Sequence, residues 1–336
     1  MFCGSHTAHQ LISSRELNSI TIRLYAGNIF KMDPIILVHG GAGRIKDDKI
    51  AKVLVEGVKK AAKIGHNILA KGGSVLDAVE AAVKYMEDDE NYNAGKGSVL
   101  TLEGEVEMDA SIMLGADLSA GAVTVVKDIQ HPISLARMVM EKTSHILLAG
   151  EGAKSFAVSQ GIQILPEGAL VTERTKNALT KYLASQEHKG DGHELGTVGA
   201  VAIDSSGRLA AATSTGGREG KLRGRSSDTC IIGSGTYADD NIGATSTTGH
   251  GETIAKFCLA HSVIKSMEGG KGANEATNDC VQLMTKRLNN TAGAVTLSSK
   301  GEVGIGFSTE RMSWCYQKGD ELHFGIDHEE HKIEKC

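Results

Sequence analysis

Thr197 follows Gly196 at the point where a polar stretch gives way to a buried apolar run, Val198 to Ile203. Glycine can adopt backbone conformations closed to other residues. Gly196 would therefore let the Thr197 Oγ approach the preceding carbonyl. An N→O acyl shift and hydrolysis would then free Thr197 as a new amino terminus. Its α-amine has an ordinary pKa near 8, about neutral enough to act as a base. One residue would supply nucleophile and base together. Taken alone, Gly-Thr is far more often just the start of a strand.

Other residues downstream could complete such a site. Thr213-Ser214-Thr215-Gly216-Gly217 ends a second apolar run, and a hairpin would return Thr215 toward Thr197. In Gly224-Arg225-Ser226-Ser227-Asp228, Arg225 could fork onto an α-carboxylate while Asp228 accepts from an α-ammonium. A surface ion pair is the plainer reading of that spacing by itself. Ser246-Thr247-Thr248-Gly249-His250-Gly251-Glu252 stands directly before an apolar helix. There the Thr248 Oγ and Gly249 N–H are natural donors to an oxyanion. His250 invites a triad, but no Ser or Cys elbow accompanies it, so it is read as packing or capping locally.

The elements that must position these residues follow from periodicity. Ile35 to Val38 reads as a buried strand that turns at Gly40-Gly41. Helical spacing runs from about Lys49 to Ala70. Ser74, with Asp77 three residues on, caps a second helix that ends in the acidic run 87–90, read as a solvated helix end. Strands are expected at Ser98–Leu102 and Glu105–Asp109 about a turn at Glu103-Gly104, and at Gly121–Lys127. Helices are expected from Pro132 to about Met140, over Lys154–Gln160 and over 174–188. The polar stretch 185–194 reads as a linker. Beyond it lie strands Val198–Ile203 and Leu209–Thr215, helices at 251–267 and 273–288, and strands at 294–298 and 302–307. Hairpins and helix pairs do not alternate as βαβ units, which argues for an antiparallel-rich α+β layered fold.

Composition narrows the field. With 336 residues, 40% hydrophobic and 23% charged, the chain can bury a large core. A net charge of −5 points to neither nucleic acid nor an anionic membrane surface. Forty-one Gly against three Pro indicate tight turns and close backbone approach. The six cysteines form no C-x-x-C pair and read as reduced thiols. No apolar run is long enough to span a bilayer. Residues 1–31 form a basic, acid-poor extension without an apolar core, read as an extension before a natural start at Met32, or more weakly as a mitochondrial transit peptide.

Together these segments resemble the plant-type asparaginase/isoaspartyl peptidase family of N-terminal-nucleophile hydrolases. The amino-terminal half agrees through His39-Gly40-Gly41-Ala42-Gly43, Asn93-Ala94-Gly95-Lys96-Gly97-Ser98 and Glu107-Met108-Asp109-Ala110-Ser111. The resemblance covers about residues 34–330 in colinear order, and is nearest to the cytosolic animal enzymes. It implies a four-layer αββα sandwich cut between Gly196 and Thr197, with residues 32–196 as the α subunit and 197–336 as the β subunit. Two such αβ units would form a homodimer in the cytoplasm.

The resemblance also implies roles. Thr197 is the nucleophile and Thr215 assists it. Thr248 and Gly249 form the oxyanion hole. Arg225 and Asp228 hold the substrate's α-groups, with Gly251 at the substrate, and Asn93 holds the site's geometry. No organic cofactor is implied. In some relatives the loop before Asn93 binds sodium through backbone carbonyls, here those of Met86, Glu87, Asp89, Tyr92, Ala94 and Lys96. Lys96 would compete if its ammonium reached that loop. Substrates would be L-asparagine and β-aspartyl dipeptides. Rival readings are glycosylasparagine hydrolysis, disfavoured without a signal peptide, a threonine endopeptidase, disfavoured by the short linker, and a non-processing scaffold.

Overall fold

The computed structural model describes Met1, residues 32–184 and residues 196–336. Most of the expected extension (2–31) and linker lies outside the described residues, as does the helical expectation beyond Ala184. The chain divides into Met1–Met32 and Asp33–Cys336, and everything below concerns the second unit.

Its first strand, β1 (Ile35–Gly43), is buried throughout. Strand β1 does not turn at Gly40-Gly41 as expected. A register shift between His39 and Ala42 absorbs one extra residue, and Gly41 takes φ +107°, open to glycine at little cost. Helix α1 (Asp48–Ala70) is capped by the Asp47 carboxylate accepting from Lys49 N. Helix α2 (Val75–Asp88) opens on the expected capping box, in which Ser74 and Asp77 each accept from the other's backbone N–H.

Strand β2 (Met108–Leu114) starts later than expected, and Ser98–Leu102 is no strand beyond a single bridge from Thr101 to Lys221. Side chains take the backbone donors there: Asn93 Oδ1 accepts from Val99 N, and Thr101 Oγ1 accepts from Glu103 N and Glu105 N. Strand β3 (Ala120–Val126), helix α3 (Pro132–Lys142), the short strand β4 (Leu147–Ala149), helix α4 (Gly150–Ser159) and helix α5 (Glu173–Ala184) follow.

The carboxyl-terminal half opens with the hairpin β5 (Val198–Ile203) and β6 (Leu209–Thr215), as expected. Then come β7 (Thr236–Asp239), β8 (Gly243–Gly249), α6 (Gly251–Phe257), α7 (Leu259–Glu268) and α8 (Ala273–Leu288). The single helix expected over 251–267 is broken at Cys258, which takes the left-handed conformation at φ 52°. Strands β9 (Ala292–Ser298), β10 (Val303–Phe307), β11 (Arg311–Lys318), β12 (Glu321–Gly325) and β13 (Lys332–Lys335) close the fold.

Among the described residues the strands form two sheets, β13-β12-β11-β1-β5-β6-β2-β3-β4 and β10-β9-β8-β7. Every pairing is antiparallel except β3 with β4. Helices α1, α2 and α3 cover the outer face of the larger sheet, and α7 and α8 that of the smaller, while β1, β5 and β6 face β8 and β9. This is the α+β four-layer αββα sandwich of the N-terminal-nucleophile hydrolases. Strand alternation sorts the side chains. Ile36, Val38, Ala200 and Ala212 join the helix-side core, whereas His39 and Thr213 meet Ser246 between the sheets.

Candidate active site

The β5–β6 register pairs Val198 with Ser214 and Gly199 with Thr213. One step further along, Thr197 stands beside Thr215, and its Oγ1 donates to Thr215 Oγ1 at 3.0 Å. Both are buried. Thr215 Oγ1 also accepts from Gly217 N at 3.0 Å, which fixes the hydroxyl's orientation.

The segment ahead of Thr197 is enclosed by backbone. A Cβ at Gly196 would lie 2.5 Å from Thr248 Oγ1 and 2.6 Å from both the nitrogen and the oxygen of Ala42. A Cβ at Gly41 would lie 2.6 Å from the Gly196 carbonyl oxygen. Only glycine fits either place. Thr248 Oγ1 accepts from Ala42 N at 3.1 Å, so its own proton is left to donate. The next residue, Gly249, takes φ +128° and passes against Ala292. Thr248 and Gly249 end β8, directly before the expected helix, which starts at Gly251.

Arg225 and Asp228 converge on Gly251. A Cβ there would be 2.7 Å from Arg225 Nη2 and 2.8 Å from Asp228 Oδ1. Arg225 holds a carboxylate already: Nε and Nη2 reach Glu252 Oε1 at 3.1 and 3.0 Å. Asp228 is buried, and burial pushes its carboxyl up to about 7, while Arg225 and the Thr247 hydroxyl pull it back. An acid held near neutrality beside a guanidinium is suited to receive an ammonium group.

The loop bearing these two residues hangs from two acids at the start of β2. Glu107 accepts from Gly224 N at 2.8 Å, and Asp109 accepts from Ser227 N, Val125 N and the Thr124 hydroxyl at 2.7, 3.0 and 2.7 Å. Sequence reasoning matched both as part of a motif without giving them this task. Their i, i+2 spacing at a strand start was the available signal. Lys221 was missed entirely. It is buried, and its Nζ donates to the carbonyls of Glu107 and Gly216. Burial brings that ammonium down to about 8 against the pull of Asp109. No periodicity marks it.

A chain of side chains fills the space between the sheets beneath the site. His39 Nε2 meets Ser246 Oγ at 2.8 Å, and Ser246 meets Thr213 Oγ1 at 2.8 Å. Thr213 then meets Thr236 Oγ1 at 2.6 Å, and Ser111 Oγ, bonded to Thr236 at 2.7 Å, donates to Thr229 O at 2.6 Å. Burial drives His39 down to about 3, against a backbone hydrogen bond with Thr197, so the ring is neutral. The layer is thin enough that a Cβ on Gly199 would sit 2.0 Å from Ser246 Oγ.

Asn93 is buried against the end of β6. Its Nδ2 donates to Gly217 O at 2.7 Å, and its backbone carbonyl accepts from Gly216 N at 3.0 Å. It therefore reaches Thr215 through the Gly216-Gly217 turn. His250 pairs locally, its Nδ1 3.2 Å from Thr253 Oγ1 at the start of α6.

The loop expected to hold sodium differs from its sequence reading in one respect. Glu87 is no solvated helix end: it is fully buried, and accepts from Ser214 Oγ at 2.6 Å and Ile133 N at 3.1 Å. Burial raises its carboxyl above the usual range. Met86, Tyr92 and Ala94 are buried beside it, and Asp89 caps the turn by accepting from Asn91 N at 3.0 Å. A Cβ on Gly95 would meet Glu87 O at 2.1 Å, and one on Gly97 would meet Tyr92 O at 1.9 Å. The Glu87 and Tyr92 carbonyls thus pass close against glycine backbone, and carbonyl oxygens are the donor type that a hard cation takes. Lys96 Nζ lies 3.7 Å from the Glu90 carboxylate, with both side chains about half exposed.

The asparaginase family profile matches residues 32–326. This chain belongs to the asparaginase family. Within it, the isoaspartyl peptidase/L-asparaginase of Xenopus laevis is 48% identical over 303 residues, 90% of this chain and 98% of that protein. The protein of the same name from Homo sapiens is 47% identical over 303 residues, 88% of this chain and 97% of its own. A probable isoaspartyl peptidase/L-asparaginase of Drosophila melanogaster is 43% identical over 322 residues, 88% and 95% of the two chains. The fold sets Thr197 against Thr215, Thr248 against Gly196, and Arg225 and Asp228 against Gly251, and Gly217 links the groups by donating to Thr215 Oγ1, accepting from Asn93 and passing against Arg225.

Proposed function

We propose that this chain is a threonine amidohydrolase that releases L-aspartate from L-asparagine and from β-aspartyl dipeptides. The observation that carries this reading is the convergence of Arg225 and Asp228 on Gly251, beside the Thr197–Thr215 hydroxyl pair. An α-carboxylate would replace Glu252 on the guanidinium, and an α-ammonium would meet Asp228. Those two contacts set the side-chain amide at Thr197 and contribute positioning.

Activation begins with Thr197 Oγ attacking the Gly196 carbonyl carbon. The Oγ proton ends on the Thr197 nitrogen as the C–N bond breaks, leaving an ester that water hydrolyses. The freed α-amine then serves as base. In turnover, Thr197 Oγ attacks the substrate's side-chain amide, and the Thr248 hydroxyl and Gly249 N–H stabilise the oxyanion. Ammonia or an α-amino acid departs with the transferred proton. Water attacks the β-aspartyl ester and restores Thr197. Residues 32–196 and 197–336 become the two subunits, and two such pairs form a dimer in the cytoplasm.

A sodium ion held by the backbone of Met86, Glu87, Asp89, Tyr92, Ala94 and Lys96 would stiffen the loop that carries Asn93. Its test is a rise in melting temperature with NaCl over choline chloride at equal ionic strength. For the main reading, aspartate release from L-asparagine and from β-aspartyl-leucine is measured with wild type and Thr197→Ala. Wild type is expected to hydrolyse both and the variant neither. A Thr197→Ala protein with wild-type turnover would sink the reading.

A further inference from the structure

Lys221 is buried, and no step of the chemistry above uses it. Its backbone is tied to the segment ahead of β2, where its carbonyl accepts from Leu102 N at 3.0 Å. Its side chain reaches back along the chain. Nζ donates to Gly216 O at 2.6 Å and to the carbonyl of Glu107. The stem passes against Gly217, which takes φ +79° and where a Cβ would lie 3.2 Å from both Cδ and Nζ of Lys221.

The Gly216 carbonyl and the Gly217 N–H belong to one planar peptide, so holding one end sets the other. That N–H donates to Thr215 Oγ1 at 3.0 Å, and Thr215 Oγ1 accepts from the Thr197 hydroxyl at 3.0 Å. A peptide between two glycines has no Cβ on either side to resist rotation. Asn93 grips the flanking groups, with its carbonyl on Gly216 N and its Nδ2 on Gly217 O. Lys221 grips the peptide itself. We propose that Lys221 is a positioning residue of the reaction, pinning the Gly216–Gly217 peptide so that its N–H faces Thr215 and, through it, the Thr197 hydroxyl. The inference rests on the threonine-nucleophile reading given under Proposed function and deepens it.

An ammonium suits this task better than a neutral donor. Its hydrogen bonds are about twice as strong. A cation on the carbonyl oxygen also polarises the peptide, which makes the N–H at the other end a better donor. Burial lowers the ammonium to about 8, while Asp109, Glu107 and Glu219 raise it and Arg225 opposes them, so the charge is present at neutral pH. A methionine of similar length would leave the Gly216 and Glu107 carbonyls without this donor.

The test is a double-mutant cycle on kcat for L-asparagine, with Lys221→Met, Thr215→Val and the pair. Each rate is referred to the chains already cleaved before Thr197. Lys221→Met is expected to lower kcat by about tenfold, with KM within about twofold of wild type. In the Thr215→Val background it is expected to cost less than about twofold, because the pinned N–H has no acceptor left to serve. Lys221→Arg, which keeps charge and donors, is expected to recover part of the loss. A merely structural role would lower kcat by the same factor in both backgrounds, and that result overturns the inference. So does a rise in KM with kcat kept, which would assign Lys221 to the substrate's α-groups. If Lys221→Met does not fold, Lys221→Gln takes its place in the cycle. A factor that is the same with and without the Thr215 hydroxyl, no change included, again overturns the inference. Wild type that does not hydrolyse asparagine removes the reaction itself, a failure seen before any variant is made.

Discussion

Thr197 and Thr215 meet hydroxyl to hydroxyl at 3.0 Å across the β5–β6 hairpin. The register that pairs Val198 with Ser214 leaves them no other arrangement. Thr215 Oγ1 is itself fixed by the Gly217 N–H. Thr215→Val keeps the β-branched shape but removes the acceptor. It should lower kcat by about 10- to 100-fold with little change in KM. Steady-state kinetics on L-asparagine checks this, and a KM effect with normal kcat would assign Thr215 to binding.

Gly251→Ala should separate binding from folding. The new Cβ would press on Arg225 Nη2 and Asp228 Oδ1, at 2.7 and 2.8 Å. Gly251 begins α6, where alanine is the better helix former. We expect KM for L-asparagine to rise at least ~10-fold while the melting temperature holds or rises. An unaltered KM would place the substrate's α-groups elsewhere.

Asp228 sets a pH dependence. Burial raises its carboxyl to about 7, so in the free enzyme it takes up a proton as pH falls through that value. The neutral acid loses its charge attraction for the α-ammonium. The logarithm of kcat/KM for asparagine should therefore decline below about pH 7. Asp228→Asn should flatten that limb at a lower plateau. A profile level down to pH 5 in wild type contradicts the assignment.

Much of this site was legible because strand alternation and hairpin register are local properties. The spacing from Thr197 to Thr215 and the turn at 204–207 sufficed to set those two residues together. Spacing suggested Arg225 and Asp228 as a pair, but their contact with Gly251 joins a loop to a helix start, and Gly251 entered only through the family resemblance. Strands β4, β7, β8, β11, β12 and β13 were not read at all. Glu87 was misread because an acidic run at a helix end usually meets water. Its burial depends on Ser214 and Ile133, which are distant in sequence. Lys221 escaped for the same reason, as its partners are backbone carbonyls of Glu107 and Gly216.

Gly199 tests the spacing of the two sheets. Its missing Cβ would fall 2.0 Å from Ser246 Oγ and 2.5 Å from His39 Nε2. Gly199→Ala should force the sheets apart locally and cost about 1–3 kcal/mol. Urea unfolding would show a lower midpoint at similar slope. Unchanged stability would mean that the interlayer network can give way freely.

Self-cleavage before Thr197 is the central claim, because the nucleophile's amine exists only after it. The direct measurement is the intact mass of purified protein after incubation at neutral pH, with amino-terminal sequencing of the products. The account predicts fragments of roughly 21 and 15 kDa, apportioned from the 35.4 kDa chain, the smaller beginning at Thr197. A chain that stays whole yet releases aspartate at full rate would contradict it.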